Sequence, residues 1–161
     1  MYHCSFESPV GILLLESNGE ALTGLSFTEQ PVQEDQPDLD IFINTRQQLH
    51  EYFYGERTVF DIPLAFDGTD FQQKVWNELL NIPYGTSLSY KHLSQRLGDV
   101  KAIRAVGTTN GKNKIAIIVP CHRVLGNDGS LTGYAWGLEK KKWLLQHEDH
   151  PNFRQEQLSM F

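Results

Sequence analysis

The chain has 161 residues, 40% of them apolar and 21% charged, with a formal net charge of −6, which is enough for one or two small domains with a real core. No N-terminal apolar run has signal-peptide length and no stretch approaches a membrane span; with only Cys4 and Cys121, far apart, there is no disulfide framework, so a reducing, cytoplasmic setting is expected. His3, Cys4 and the remaining histidines show no zinc-type spacing, which predicts no structural metal.

Three short strands open the chain. Tyr2–Phe6, Ile12–Glu16 and Ala21–Phe27 form a β-meander, separated by Ser8-Pro-Val-Gly11 and by Asn18-Gly19, a strong hairpin turn. The acidic stretch Thr28–Asp38, with Pro31 and Pro37, reads as an exposed loop. Leu39, Phe42, Ile43, Leu49, Tyr52 and Phe53 then recur at helical spacing until Gly55. Phe60, Ile62, Leu64 and Phe66 alternate strictly, which predicts a further strand, at an edge because of Pro63. No chemistry is visible in this half, residues 1–66, which reads as a small α+β support domain.

Thr69-Asp-Phe-Gln72 has the capping-box pattern and opens a helix with Phe71, Val75, Leu79 and Ile82 on one stripe, ended by Pro83-Tyr-Gly85. Ser89 can cap a second helix, Tyr90–Leu97, closed by Gly98. Asp99 can cap a third, from about Val100 to Asn110, with Ile103 and Val106 inward and Gly111 as its stop. Two short helices joined by Gly98-Asp99 make a helix-turn-helix. Five apolar, mostly β-branched residues, Ile115 to Val119, predict a buried strand that Pro120 stops. A glycine-punctuated loop, Gly126–Gly137, leads to a helix from about Leu138 to His147, with Trp143, Leu144 and Leu145 on its buried side. These elements form a second domain over residues 67–150; residues 151–161 carry no motif and read as a loose tail.

The net charge hides a sharp division. Residues 1–85 carry 3 basic and 14 acidic side chains, whereas residues 86–147 carry 10 basic and 3 acidic ones. A polyanion-binding half is concealed by an acidic half. Lys101, Arg104 and Lys112 on the helix-turn-helix are available to a phosphate backbone.

Cys121 closes the predicted strand, beside His122 and Arg123. Sulfur is nucleophilic as thiolate; at a free pKa of about 8.5 only a few per cent is ionised at pH 7, and neighbouring positive charge raises that fraction. Taken alone, this cysteine is either a structural cap on a core strand or a nucleophile. A helix-turn-helix alone suggests a transcription regulator, though no dimerisation element or ligand domain is evident, and a Cys-His pair alone suggests a thiol hydrolase.

Their conjunction within some 80 residues is more specific. Pro120-Cys-His-Arg-Val124 with its apolar lead-in resembles the active-site motif of the O6-alkylguanine-DNA alkyltransferases, the methylated-DNA–protein-cysteine S-methyltransferases of direct repair. The resemblance extends through Gly68-Thr-Asp-Phe-Gln-Gln-Lys-Val-Trp76, Ile82-Pro-Tyr-Gly85, Ser89-Tyr90, Arg104-Ala-Val-Gly107, Asn113 and Gly133-Tyr134 to Trp143-Leu-Leu145 and Glu148. The N-terminal half fits the family's β-sheet-plus-helix domain loosely, through size and strand pattern.

The resemblance implies an α+β protein with a small N-terminal β-sheet-plus-helix domain and a helical, winged-helix-like DNA-binding domain, its active-site Cys at the end of a short buried strand. It implies stoichiometric transfer of an alkyl group from O6-alkylguanine, and O4-alkylthymine, in duplex DNA to Cys121, with no cofactor, no membrane, no obligate protein partner and a monomeric state. The lesion carbon lies inside the duplex, so the nucleotide must be flipped out. Arg104 would fill the gap as a finger, with Lys101, Ala102, Tyr90 and Asn110 at the DNA in a minor-groove docking mode. His122 would take the thiol proton, through a water because neighbours on a strand face opposite ways, and Glu148 would orient the imidazole. Tyr90 would donate its phenolic proton to guanine N3. Asn113 would tie the helix-turn-helix to the active-site segment, and Arg123 would brace the fold. Tyr134 and Trp136 would wall the pocket, with main-chain groups near Cys121, Val124 and Ala135 reading the base edge. Lys141 either assists near the pocket or is solvated. Trp136 replaces a Gly of some members and should restrict bulky O6 groups. A non-catalytic lesion-binding relative would keep the Arg104 helix and lack the nucleophile.

Overall fold

The structure, a computed structural model, describes residues 1–153; positions 154–161 of the expected tail lie outside the described residues. Strands β1 (Tyr2–Ser8), β2 (Gly11–Ser17) and β3 (Leu22–Thr28) form an antiparallel meander in that order. Ser8 pairs with Gly11, which leaves Pro9-Val10 as a two-residue turn. Asn18 closes the second turn: its Oδ1 accepts from the N–H groups of Glu20 and Ala21 at 2.9 Å each. Cys4, Leu13, Leu15, Leu22 and Leu25 are fully buried, and helix α1 (Asp40–Phe53) packs against β1 and β2.

On α1 the buried stripe is Ile41, Phe42, Thr45, Leu49 and Tyr52, while Ile43, expected inward, is exposed. Thr45 is tolerated inside because its hydroxyl donates to the Ile41 carbonyl at 2.6 Å. The strand expected over Phe60–Phe66 is reduced to one bridge, Leu64 to Leu22. Pro63 contributes there only its carbonyl, which accepts from Leu22 N–H at 2.8 Å.

The second half begins with α2 (Asp70–Leu79), whose Thr69–Gln72 capping box is formed as expected. Val75, Trp76, Leu79 and Ile82 are buried; Phe71, expected on that stripe, is exposed in the first turn, and the Trp76 indole N–H instead reaches the Thr109 carbonyl at 3.0 Å. Ser89 caps α3 (Tyr90–Arg96) by accepting from His92 N–H at 3.0 Å. Gly98, at φ +85°, ends it in the left-handed conformation a side chain would disfavour. Asp99 caps a 3₁₀ turn, Val100–Ala102, that runs into α4 (Ile103–Gly111), and α3 packs on α4. The last helix is α5 (Leu138–His147), and a two-stranded parallel pair, β4 (Leu88–Ser89) with β5 (Val124–Leu125), completes this half.

One expectation fails in a consequential way. Ile115–Val119 is not a strand: Ile115 makes one bridge to Leu25, and the chain then turns, with Ile117 at φ +69° and Ile118 N–H donating to the Ala116 carbonyl at 2.7 Å. All five side chains are nonetheless buried. An apolar run covered on every side reads alike in a strand and in a buried turn, because periodicity carries no signal there. The short buried strand, β5, follows the cysteine rather than preceding it, and Cys121 opens a 3₁₀ turn, Cys121–Arg123.

Candidate active site

Asn113 organises the segment around the thiol. Its amide nitrogen donates to the carbonyls of Val119 at 2.9 Å and Ile115 at 3.1 Å and to Cys121 Sγ at 3.2 Å, while its oxygen accepts from Ile115 N–H at 3.0 Å. One side chain thus fixes the turn that replaces the expected strand. Cys121 is 3% exposed, and burial pushes its thiol up to about 11 against the opposing hydrogen bond from Asn113 and the charge of Lys141. Arg123 does not spend its charge on the sulfur, as its sequence proximity suggested. At neutral pH the resting thiol therefore keeps its proton.

His122 is fully buried, and its Nε2 lies 2.8 Å from Glu148 Oε2. Burial works against the Glu148 carboxylate, yet the ring of His122 and the guanidinium of Arg123 outweigh it and hold this group well below the usual carboxylate range. Arg123 supplies a permanent charge: Nε donates to Oε1 at 2.7 Å and NH2 to Oε2 at 3.0 Å, and NH1 reaches the Ile82 carbonyl at 2.7 Å. An ionised Glu148 only accepts, so Nε2 carries the ring proton and Nδ1 presents its lone pair. Burial also lowers the imidazole below its ordinary range, which keeps it neutral with the Nδ1 lone pair unprotonated.

Tyr52 is the residue the sequence reading missed. Its hydroxyl, from α1 in the half where no chemistry was visible, donates to Glu148 Oε2 at 2.6 Å. Helical periodicity marks Tyr52 as core; only the need of a fully buried phenol for a partner hints at more.

The loop before α5 closes the other side. Lys141 is fully buried, not solvated, and its amine donates to the carbonyls of Thr132 at 2.9 Å and Gly133 at 3.3 Å. Burial lowers it to about 8. Thr132 Oγ1 donates to the Tyr90 hydroxyl at 3.2 Å, and the Tyr90 ring lies beside Gly107 of α4. Tyr134 meets Trp136 edge-on at 5.2 Å, and Trp136 meets Phe27 of β3 at 5.9 Å. Val124 is buried in β5, and Ala135 is exposed.

Arg104 and Lys101 are exposed on the helix-turn-helix, with Ala102 half-buried between them. Asn110, expected at the DNA, is instead buried with Val106 and Thr109, because these positions share the inward face of α4. Its amide lies 3.4 Å from the Cys121 carbonyl. Among the described residues the buried side-chain polar atoms without a partner are Asn110 Oδ1, His122 Nδ1 and Tyr134 OH, all beside Cys121 or its turn. Unpaired buried groups gathered at one place call for polar atoms of a ligand or solvent. Among the described residues no group of three His, Cys, Asp or Glu side chains is placed to hold a metal ion, and no helix is long and apolar enough to cross a membrane.

A buried thiol followed in the chain by an imidazole–carboxylate pair, together with an exposed basic helix-turn-helix, is the make-up of a DNA-binding protein with a thiol site. Comparison with known proteins specifies it. Residues 1–66 match the ribonuclease-like domain of 6-O-methylguanine DNA methyltransferase, and residues 70–150 match its DNA-binding domain. A methylated-DNA–protein-cysteine methyltransferase of Methanosarcina acetivorans is 46% identical, over 92% of this chain and 98% of its own, and one of Mycobacterium tuberculosis is 46% identical over 92% of both. The crystal structure of Mycobacterium tuberculosis O6-methylguanine methyltransferase superposes with a TM-score of 0.84 at 43% identity, over 99% of this chain and 98% of that one. Mycobacterium tuberculosis OGT in complex with DNA gives a TM-score of 0.86 at 45% identity, over 92% and 93% of the two chains. The chain belongs to the 6-O-methylguanine DNA methyltransferase family. Its activity is direct-reversal repair, the transfer of an alkyl group from DNA to a cysteine of the protein, and DNA is its partner.

Proposed function

We propose that the lesion is O6-alkylguanine in duplex DNA, flipped out of the stack, and that Cys121 is the acceptor. The observation that carries this reading is the His122 Nδ1 lone pair, buried and unpartnered on the residue that follows a buried thiol holding its proton. Nδ1 takes the thiol proton through a water, and Glu148 steadies the imidazolium that forms. Sγ attacks the alkyl carbon in line; the S–C bond forms as the C–O6 bond breaks. The Tyr90 hydroxyl accepts from Thr132, which leaves its own proton for the departing base. The product is a thioether, and with no carbonyl for water to attack the sulfur is consumed, so each molecule acts once.

The remaining roles follow from position. Arg104, exposed on α4, is the finger that fills the gap left by the base, and Lys101 holds phosphate. Lys141 shapes the pocket loop through two carbonyls, Tyr134 and Trp136 wall it, and main-chain groups of Cys121, Val124 and Ala135 read the base edge. Residues 67–150 carry this chemistry and residues 1–66 support it.

The test is mass spectrometry after incubation with duplex DNA containing O6-methylguanine. A gain of one methylene on the peptide holding Cys121, at one equivalent per molecule, is expected. C121S should take up no methyl yet bind the duplex nearly as wild type. A methyl on another residue, or turnover beyond one equivalent, would refute the assignment.

A further inference from the structure

We propose that Tyr52, on α1 of the N-terminal half, is a positioning residue for alkyl transfer: its hydroxyl holds Glu148 in the setting that makes His122 an effective base. The inference deepens the His122–Glu148 relay proposed above and rests on it. Glu148 Oε2 accepts from three donors, His122 Nε2 at 2.8 Å, Arg123 NH2 at 3.0 Å and Tyr52 OH at 2.6 Å, while Oε1 is taken by Arg123 Nε at 2.7 Å. His122 and Arg123 belong to the same 3₁₀ turn as the nucleophile. Tyr52 alone among these donors comes from a different half of the chain, so it fixes the carboxylate against a frame the Cys121 turn does not share.

The contacts of Tyr52 separate a packing task from this one. Its ring sits among Phe53, Phe60, Tyr84 and His147 at centroid distances of 4.9–6.2 Å, a setting a phenylalanine would fill equally well. The hydroxyl is the one part that reaches the active site. His147 Nε2 lies 2.7 Å from the Tyr52 carbonyl, so consecutive residues at the end of α5 grip both polar ends of Tyr52. Burial and the neighbouring Glu148 charge push the phenol well above its ordinary range, so it remains a donor wherever the protein works.

The electrical consequence has a definite sign. A donor on Oε2 draws density from the carboxylate and weakens its hold on an imidazolium at Nε2; without it the His122 imidazolium is better stabilised and its pKa rises. The other groups facing this pair are Arg123 in contact, with Lys141, Tyr84, Tyr134 and His150 at longer range, and all remain when the hydroxyl is removed.

The experiment measures the second-order rate of methyl transfer from duplex DNA against pH for wild type, Y52F, Y84F and H122Q, with duplex affinity, melting temperature and the His122 ¹⁵N shifts followed in parallel. Y52F should slow transfer roughly tenfold at neutral pH, the scale of one hydrogen bond to a charged group, because the carboxylate loses its anchor and a larger share of His122 is already protonated before it can act. It should also move the rising limb of the pH–rate profile and the His122 titration to higher pH, with affinity unchanged. Y84F removes a neighbouring hydroxyl that reaches the His147 carbonyl and not Glu148, and should leave both midpoints in place. If H122Q slows transfer while Y52F matches wild type, or if Y52F lowers the melting temperature without moving either midpoint, Tyr52 is only a packing residue. If H122Q transfers as fast as wild type, the relay itself is wrong and the proposal falls with it.

Discussion

At Cys121, burial and reactivity pull in opposite directions. The burial that shields the sulfur pushes its thiol up to about 11, so the resting group is not a standing thiolate, and the proposed relay asks a base to act at the moment of transfer. The raised value has a consequence for stability. The folded state keeps a proton that the unfolded chain releases near pH 8.5–9, so this contribution is complete below that range and is lost as pH rises toward 11. Between pH 8 and 10, wild type should lose about 1 kcal/mol more than C121S in denaturant titrations, the expected cost of one such thiol. Cys4, also raised to about 11, is shared by both proteins and cancels in the difference, whereas Lys141, lowered to about 8, feels the charge of the Cys121 thiolate and contributes part of that difference. Equal losses in the two would show that the thiol is not held neutral.

At the level of elements, the helix-turn-helix combines strong local signals with one choice those signals could not make. Ser89, Gly98 and Asp99 specify where α3 stops and the approach to α4 begins, each through its own backbone chemistry. Which face of α4 is left open to solvent is decided by packing: Val106, Thr109 and Asn110 turn inward, and Arg104 is left at the surface. R104A should therefore slow transfer from duplex DNA by tenfold or more, roughly the loss expected when an unstacked gap costing a few kcal/mol goes unfilled. Transfer from free O6-methylguanine base, where there is no stack, should change little. Parallel rate constants on the two substrates check this, and equal losses would remove Arg104 from the finger role.

On the scale of the molecule, the acidic and basic halves are joined at the active site. Leu25 of β3 bridges Ile115, placing the turn that carries Asn113 and Cys121 against the N-terminal sheet, and Tyr52 joins α1 to Glu148. Most positive charge remains in residues 86–147, where 10 of the 14 lysines and arginines lie. Duplex affinity should thus fall linearly with salt on logarithmic axes, by about 0.9 per phosphate neutralised, and K101A should make that slope shallower by about 1. A slope near zero for wild type would contradict the electrostatic reading of the charge division.

The sequence by itself determined what depends on neighbours in the chain: the hairpin turn at Asn18-Gly19, the Thr69 capping box, the Ser89 and Asp99 caps, the charge division, and the Pro120-Cys-His-Arg motif that carries the family. Only the tertiary structure decided the rest. Ile115–Val119 reads as a strand because uniform burial erases periodicity, and Asn113, by binding the carbonyls of Ile115 and Val119, makes it a turn. Asn110 reads as a DNA contact until the packing of α4 turns it inward. Tyr52 reads as core until the fold brings it, across 96 positions, to Glu148. Local pattern fixes backbone preference, but a hydrogen bond between distant residues exists only once the chain has closed around it.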